Sequence, residues 1–198
     1  MDIETDLNSQ INVASWINQK FAIPFSLQND NERLSHACFD MVIEHHISIL
    51  TLCKEELYGS AIALLRVEFE ALVRGLWLRH VATQNEITNF KSDKINPEFH
   101  ELIKAVKDHT GINEGLFSCI KEKQWNIFNS FTHMGKDAVS RRVEEIATGY
   151  DSGKETDVIK ALRFSGLIAV LTAVELASLS KNQDLMDNTF DFAKTFAK

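Results

Sequence analysis

Residues 59–82 read GSAIALLRVEFEALVRGLWLRHVA, and their apolar side chains occupy almost every angle of a helical wheel. An amphipathic surface helix keeps a polar side, so this stretch predicts a core helix buried on most sides. Charges cross it in register. Arg66, Glu70 and Arg74 fall at i, i+4 and i+8 and stack along one face, with Trp77 and His80 close to the same line. Isolated buried charges are costly, which leaves two readings of the ladder. Either it satisfies itself as an internal Arg–Glu–Arg network, or it lines a cleft where guanidinium groups meet a phosphate or carboxylate and Glu70 orients them. Glu68 and Arg79 fall on another side and are expected in solvent.

Working outward, 198 residues with 44% hydrophobic and 25% charged composition suit one domain, 1–198, with a substantial core. Two prolines, eight glycines and no alternating Val/Ile/Thr runs leave little room for sheet structure, so the fold class is all-α. A net charge of −7 disfavours indiscriminate binding to nucleic acid or anionic membrane and confines any nucleic-acid site to a local patch. Cys38, Cys53 and Cys119 show neither C-x-x-C spacing nor a dense framework and read as reduced core thiols. That usage favours the cytoplasm. The start MDIETDLNSQ is acidic where a signal peptide is basic, and GLIAVLTAVELASL (166–179) is short for a membrane span and carries Glu175. No membrane partner is expected.

The chain before the central helix predicts an amphipathic helix over residues 3–21, an N-terminal arm or lid within 1–28, then a long helix from Glu32 to Leu57 begun by NDNE. Leu34, Cys38, Met41, His45, Ile49 and Leu52 form the expected inner face of that long helix. His36, Asp40 and Glu44 recur on its other side, which the polar face of an amphipathic helix explains without a metal. Tyr58 and Gly59 make a tight joint, so the long and central helices should form an antiparallel hairpin. Residues 83–96 predict a loop with at most a short helix, and Asn96 with Pro97 the start of the next. Helices over 114–134 and from Thr156 or Asp157 to Leu179 follow, and a C-terminal helix at 182–198 packs on the N-terminal arm. The expected architecture is an up-and-down bundle of four or five long helices with short accessory ones.

The 114–134 helix carries Asn126, Asn129, Ser130 and His133 at i, i+3, i+4 and i+7, a stripe of amide, hydroxyl and imidazole groups suited to ligand binding; Arg141 and Arg142 follow in a basic turn. Neither E-x-x-H nor H-E-x-x-H occurs, so no metal or other cofactor is expected.

Two segments, SAIALLRVEFEALVRGLWL (60–78) and FNSFTHMG (128–135), together resemble a group of uncharacterised bacterial helical proteins that keep L-R-x-x-x-E-A and N-x-x-T-H-x-G elements. That group is similar in layout to the HEPN superfamily of helical bundles, many of whose members are metal-independent ribonucleases of toxin and phage-defence systems. The resemblance implies His133 as general base, Arg66 and Arg74 as phosphate clamps, Glu70 as their orienter and Asn129 as a hydrogen-bond partner, acting on a ribose 2′-OH and the adjacent phosphate. The superfamily's R-x(4–6)-H signature is incomplete at His133, because no arginine stands at that distance before it, while Arg74 and His80 satisfy the spacing formally within the central helix. The expectation is therefore a non-catalytic binding protein that takes a nucleotide, RNA phosphate or other anion, with ribonuclease as the alternative. A partner protein could occupy the same cleft, and homodimerisation is expected from the number of inward faces.

Overall fold

The computed structural model describes residues 2–110, 128–133, 135–136, 138–140, 143 and 152–196. Among these the regular elements are all helical: α1 (Ile3–Phe21), α2 (Asp30–Lys54), α3 (Tyr58–His80), α4 (Gln84–Lys91), α5 (Phe99–Thr110), α6 (Ser152–Ser180) and α7 (Gln183–Phe196). Residues 128–132 form a further helical segment.

Local chemistry sets the boundaries. Asp2 caps α1 by accepting from Thr5 N, and Asn29 caps α2 by accepting from Glu32 N while Glu32 Oε2 accepts from Gln28 N. Thr83 and Glu86 form a reciprocal capping box on α4. Glu56 takes the left-handed conformation (φ 57°) and turns α2 into α3, and Lys181 (φ 57°) does the same between α6 and α7. Helix α5 begins at Phe99, two residues later than the Asn96-Pro97 signal implies. Asn96 is spent elsewhere: its Oδ1 accepts from Arg74.

The α2–α3 hairpin is the most extensive helix–helix interface. It is antiparallel, since Asn31 Nδ2 at the start of α2 donates to Leu78 O near the end of α3. Helix α6 runs parallel to α3: Ser165 meets Glu68, and further along both helices Glu175 meets His80. Helix α1 lies across α6 and α2, burying Leu7, Val13, Ala14 and Ile17. At about 1.5–3 kcal/mol per large apolar side chain, this is an integral wall of the bundle rather than a lid. Trp16 stacks on Phe192 at 4.0 Å, which brings α7 against α1.

The inner face of α2 is turned by about one residue from the sequence expectation. Cys38, Phe39, Val42, His46, Ile49 and Leu50 are buried, whereas Met41 is 44% exposed and His45 lies at the margin. Helix α6 is long and apolar enough to cross a membrane by length and composition, but most of it is buried against its neighbours.

The apolar core falls into two clusters. One gathers Phe39, Phe69, Leu72, Leu78 and Ile168; the other gathers Leu50, Ile62, Leu65, Phe131 and Leu162. On every long helix a polar residue separates them: Gln10, His46, Glu68 and Ser165, each at most 3% exposed.

Candidate functional site

Arg66 and Glu70 stand one turn apart on α3, and Arg66 Nε donates to Glu70 Oε1 at 3.0 Å. Their side chains retain 23% and 29% exposure, so the pair lies at the bundle's edge. The 128–132 segment docks beside it. Phe131 is buried with Ala61, Ile62 and Leu65, Phe128 stacks on Phe164, and the Thr132 hydroxyl is shared between Phe128 O and Ala63 O. These anchors present the exposed His133 to α3, and Arg66 Nη1 hydrogen-bonds to His133 Nε2. A guanidinium can only donate, so Nε2 is the acceptor and the proton of the neutral ring sits on Nδ1. Residues 67 positions apart thus form one row, Glu70–Arg66–His133.

Such a row has a definite chemical competence. A guanidinium oriented by a carboxylate and flanked by an imidazole N–H presents donors to an anion. The one lone pair with which His133 could act as a base is occupied by Arg66.

The other sequence-singled residues are placed as follows. Arg74 does not join the row; it donates to Asn96 Oδ1 at 3.1 Å and lies 5.7 Å from the Phe90 ring centroid, beside a cleft of about 700 Å³ between α3, α4 and α5. Asn129 lies one turn before His133, its backbone carbonyl accepting from His133 N, and its Oδ1 is buried without a hydrogen-bond partner among the described residues. Asn126, Arg141 and Arg142 lie outside the described residues. His80 sits at the far end of α3, where Glu175 Oε2 hydrogen-bonds with His80 Nε2 and forms an ion pair with Arg79, 2.9 Å from its Nε. Arg79 is only 15% exposed and also donates to Ser178 Oγ, which corrects the expectation that it is solvated: α6 covers that side of α3. Among the described residues no three His, Cys, Asp or Glu groups are arranged to hold a metal. Burial pushes the thiols of Cys38 and Cys53 up to about 11, so they behave as apolar core groups.

Sequence reasoning missed the polar layer. Glu68, expected in solvent, is fully buried because α6 packs on its face of α3. Ser165 Oγ lies 2.8 Å from Glu68 Oε1 and 2.7 Å from His46 Nδ1. Among the described residues His46 Nε2, Glu68 Oε2 and Gln10 Oε1 have no hydrogen-bond partner. Burial holds the Glu68 carboxyl well above its ordinary range, and burial drives the His46 imidazole down to about 4, with the Gln10 main chain beside the ring pulling the other way. The signal was present in the spacing: Gln10 lies between Leu7 and Val13, His46 between Ile43 and Ile49, and Ser165 between Leu162 and Ile168, all three residues apart on core faces.

A model described as a family of unknown function (DUF6988) matches residues 39–198, a span that takes in Arg66, Glu70 and His133 and leaves α1 outside. No curated protein and no solved structure matches the chain.

Proposed function

The chain belongs to that family of unknown function, and from its own site chemistry we propose that it is a binding protein whose Glu70–Arg66–His133 row takes an anion, a nucleotide phosphate or RNA phosphate foremost, without turnover. The observation that carries this reading is the hydrogen bond from Arg66 to His133 Nε2. It fixes a guanidinium at the surface beside an imidazole N–H donor and at the same time engages the nitrogen that catalysis would need. The L-R-x-x-x-E-A and N-x-x-T-H-x-G segments supply these three residues, in keeping with the HEPN-like layout read from them.

A titration of wild type with inorganic phosphate, a mononucleotide and an RNA oligonucleotide tests it. Saturable binding is expected, weakened about 10- to 100-fold by Arg66→Ala, because a hydrogen bond to a charged group contributes roughly 1.5–3 kcal/mol. If the folded wild type binds none of the three, the row is a tie between helices.

The ribonuclease reading is favoured by one observation of its own: the arginine absent upstream of His133 has a spatial substitute in Arg66. Incubating wild type and His133→Ala with mixed RNA in excess EDTA separates the two. Cleavage by wild type alone establishes catalysis, whereas RNA binding that leaves the strand intact supports the binding protein.

A further inference from the structure

The polar layer at the centre of the bundle is independent of the anion site. One Ser165 hydroxyl hydrogen cannot serve both neighbours, so either His46 or Glu68 supplies the second hydrogen of the chain His46–Ser165–Glu68. Among the described residues Glu68 has no lysine or arginine partner; its only ion-pair neighbour is His46 Nδ1, 4.0 Å away. An ionised Glu68 beside a neutral His46 would be a lone buried carboxylate, which the interior tolerates poorly. The layer therefore retains one proton more than two independent solvated groups would at neutral pH.

The groups facing this centre can be named helix by helix. Helix α1 brings Gln10, uncharged, and Asp6, already bound bidentately by Arg163 at 2.6 and 3.1 Å. Helix α2 brings His46, with the thiols of Cys38 and Cys53 above and below; α3 brings Glu68; α6 brings Ser165, with Arg163 committed to Asp6. Among the described residues of these helices no further ionisable group is buried.

Helix α1 closes the layer. The Gln10 amide rests against Gly166, where an added Cβ would collide with it, so α1 and α6 approach closely because residue 166 lacks a side chain. The hold of α1 on the bundle is less extensive than that of the α2–α3 hairpin, and one connection, residues 22–29, ties it to the rest.

We propose that the His46–Ser165–Glu68 chain is a proton-binding site which, while occupied, seats α1 on the bundle. When the Glu68 O–H bond breaks and its proton leaves to water, the remaining carboxylate must be hydrated. Water reaches it with least loss of packing by displacement of α1.

Amide hydrogen exchange of the full chain between pH 7 and 9, for wild type and Glu68→Gln, tests this. In wild type, α1 amides are expected to be less protected than those of α2 and α3, and their protection factors to fall up to about tenfold per pH unit, the limit for one linked proton. Glu68→Gln, permanently neutral and of the same shape, abolishes that fall. Equal protection of α1 and α3 at every pH, pH-independent protection in wild type, or an unchanged fall in Glu68→Gln would each overturn the proposal. Should the variant not fold, the ¹³C carboxyl shift of Glu68 in wild type at pH 7 decides: a protonated acid is expected, and an ionised carboxylate refutes it.

Discussion

At the scale of single residues, the two mid-helix and helix-start glycines of α3 separate intrinsic propensity from packing. Gly75 costs about 1 kcal/mol of helix propensity relative to alanine, yet a Cβ there would lie 2.5 Å from Phe39 Cε1, and Phe39 is fully buried with nowhere to move. Gly59 meets nothing within 4 Å. Gly75→Ala should therefore destabilise by about 1–3 kcal/mol despite its better propensity, while Gly59→Ala should be neutral or stabilising by up to about 1 kcal/mol. Urea midpoints of the two variants check this, and equal shifts would refute the close α2–α3 contact. The residue scale is also where the sequence was least legible. Arg66, Glu70 and His133 could be singled out because they carry chemistry-bearing groups in register, and the structure brings them together. Glu68 could not: on a helix that is apolar nearly all round, the wheel gives no direction for solvent, and only the packing of α6 reveals which charge is inside.

At the scale of elements, periodicity located the helices well and their rotation less well. The capped start of α2 was readable from NDNE, but its inner face was misphased by about one residue because apolar and polar groups alternate ambiguously around His45-His46 and Met41. The role of α1 was underestimated for a related reason: Asp6 and Gln10 look like solvent positions in sequence, yet both are buried against α6. That contact makes an asymmetric prediction. Asp6 is 6% exposed and Arg163 50% exposed by side chain, so removing either partner is not equivalent. Arg163→Met strands a buried carboxylate and should be the more destabilising of the two. Asp6→Asn leaves an arginine that water can solvate and should cost at least about 1 kcal/mol less. Denaturant unfolding of both variants measures the difference; equal losses would mean that the bidentate contact contributes no more than its area.

At the scale of the molecule, the layer between the two apolar clusters should shape stability against pH. His46 is lowered from its ordinary 6.5 to about 4 in the fold, so the unfolded chain takes up a proton that the fold refuses as pH falls between those values, and stability falls with it. Glu68 is raised above its ordinary 4.5, so from about 4.5 upward the fold keeps a proton that the unfolded chain releases, and stability falls as pH rises. Between about 4.5 and 6.5 the two effects offset: each state binds one proton on this pair. Below that window the hydrogen-bonded carboxylates of Asp30, Glu32 and Glu86, all lowered, add to the loss on acidification. His36, lowered by burial, tilts the plateau toward its upper end. Once the unfolded-state histidines are neutral, from about pH 7.5, Glu68 acts alone until the thiols of Cys38 and Cys53, ordinarily at 9.0 and raised to about 11, begin to contribute. The interval from about pH 7.5 to 8.5 thus best isolates one group. Wild-type unfolding free energy should drop there by up to about 1.4 kcal/mol, one proton at about 1.36 kcal/mol per unit, and Glu68→Gln should be close to flat. A wild-type stability that rises over this interval would mean that Glu68 is ionised in the fold, which its surroundings of His46, Ser165 and apolar side chains do not accommodate.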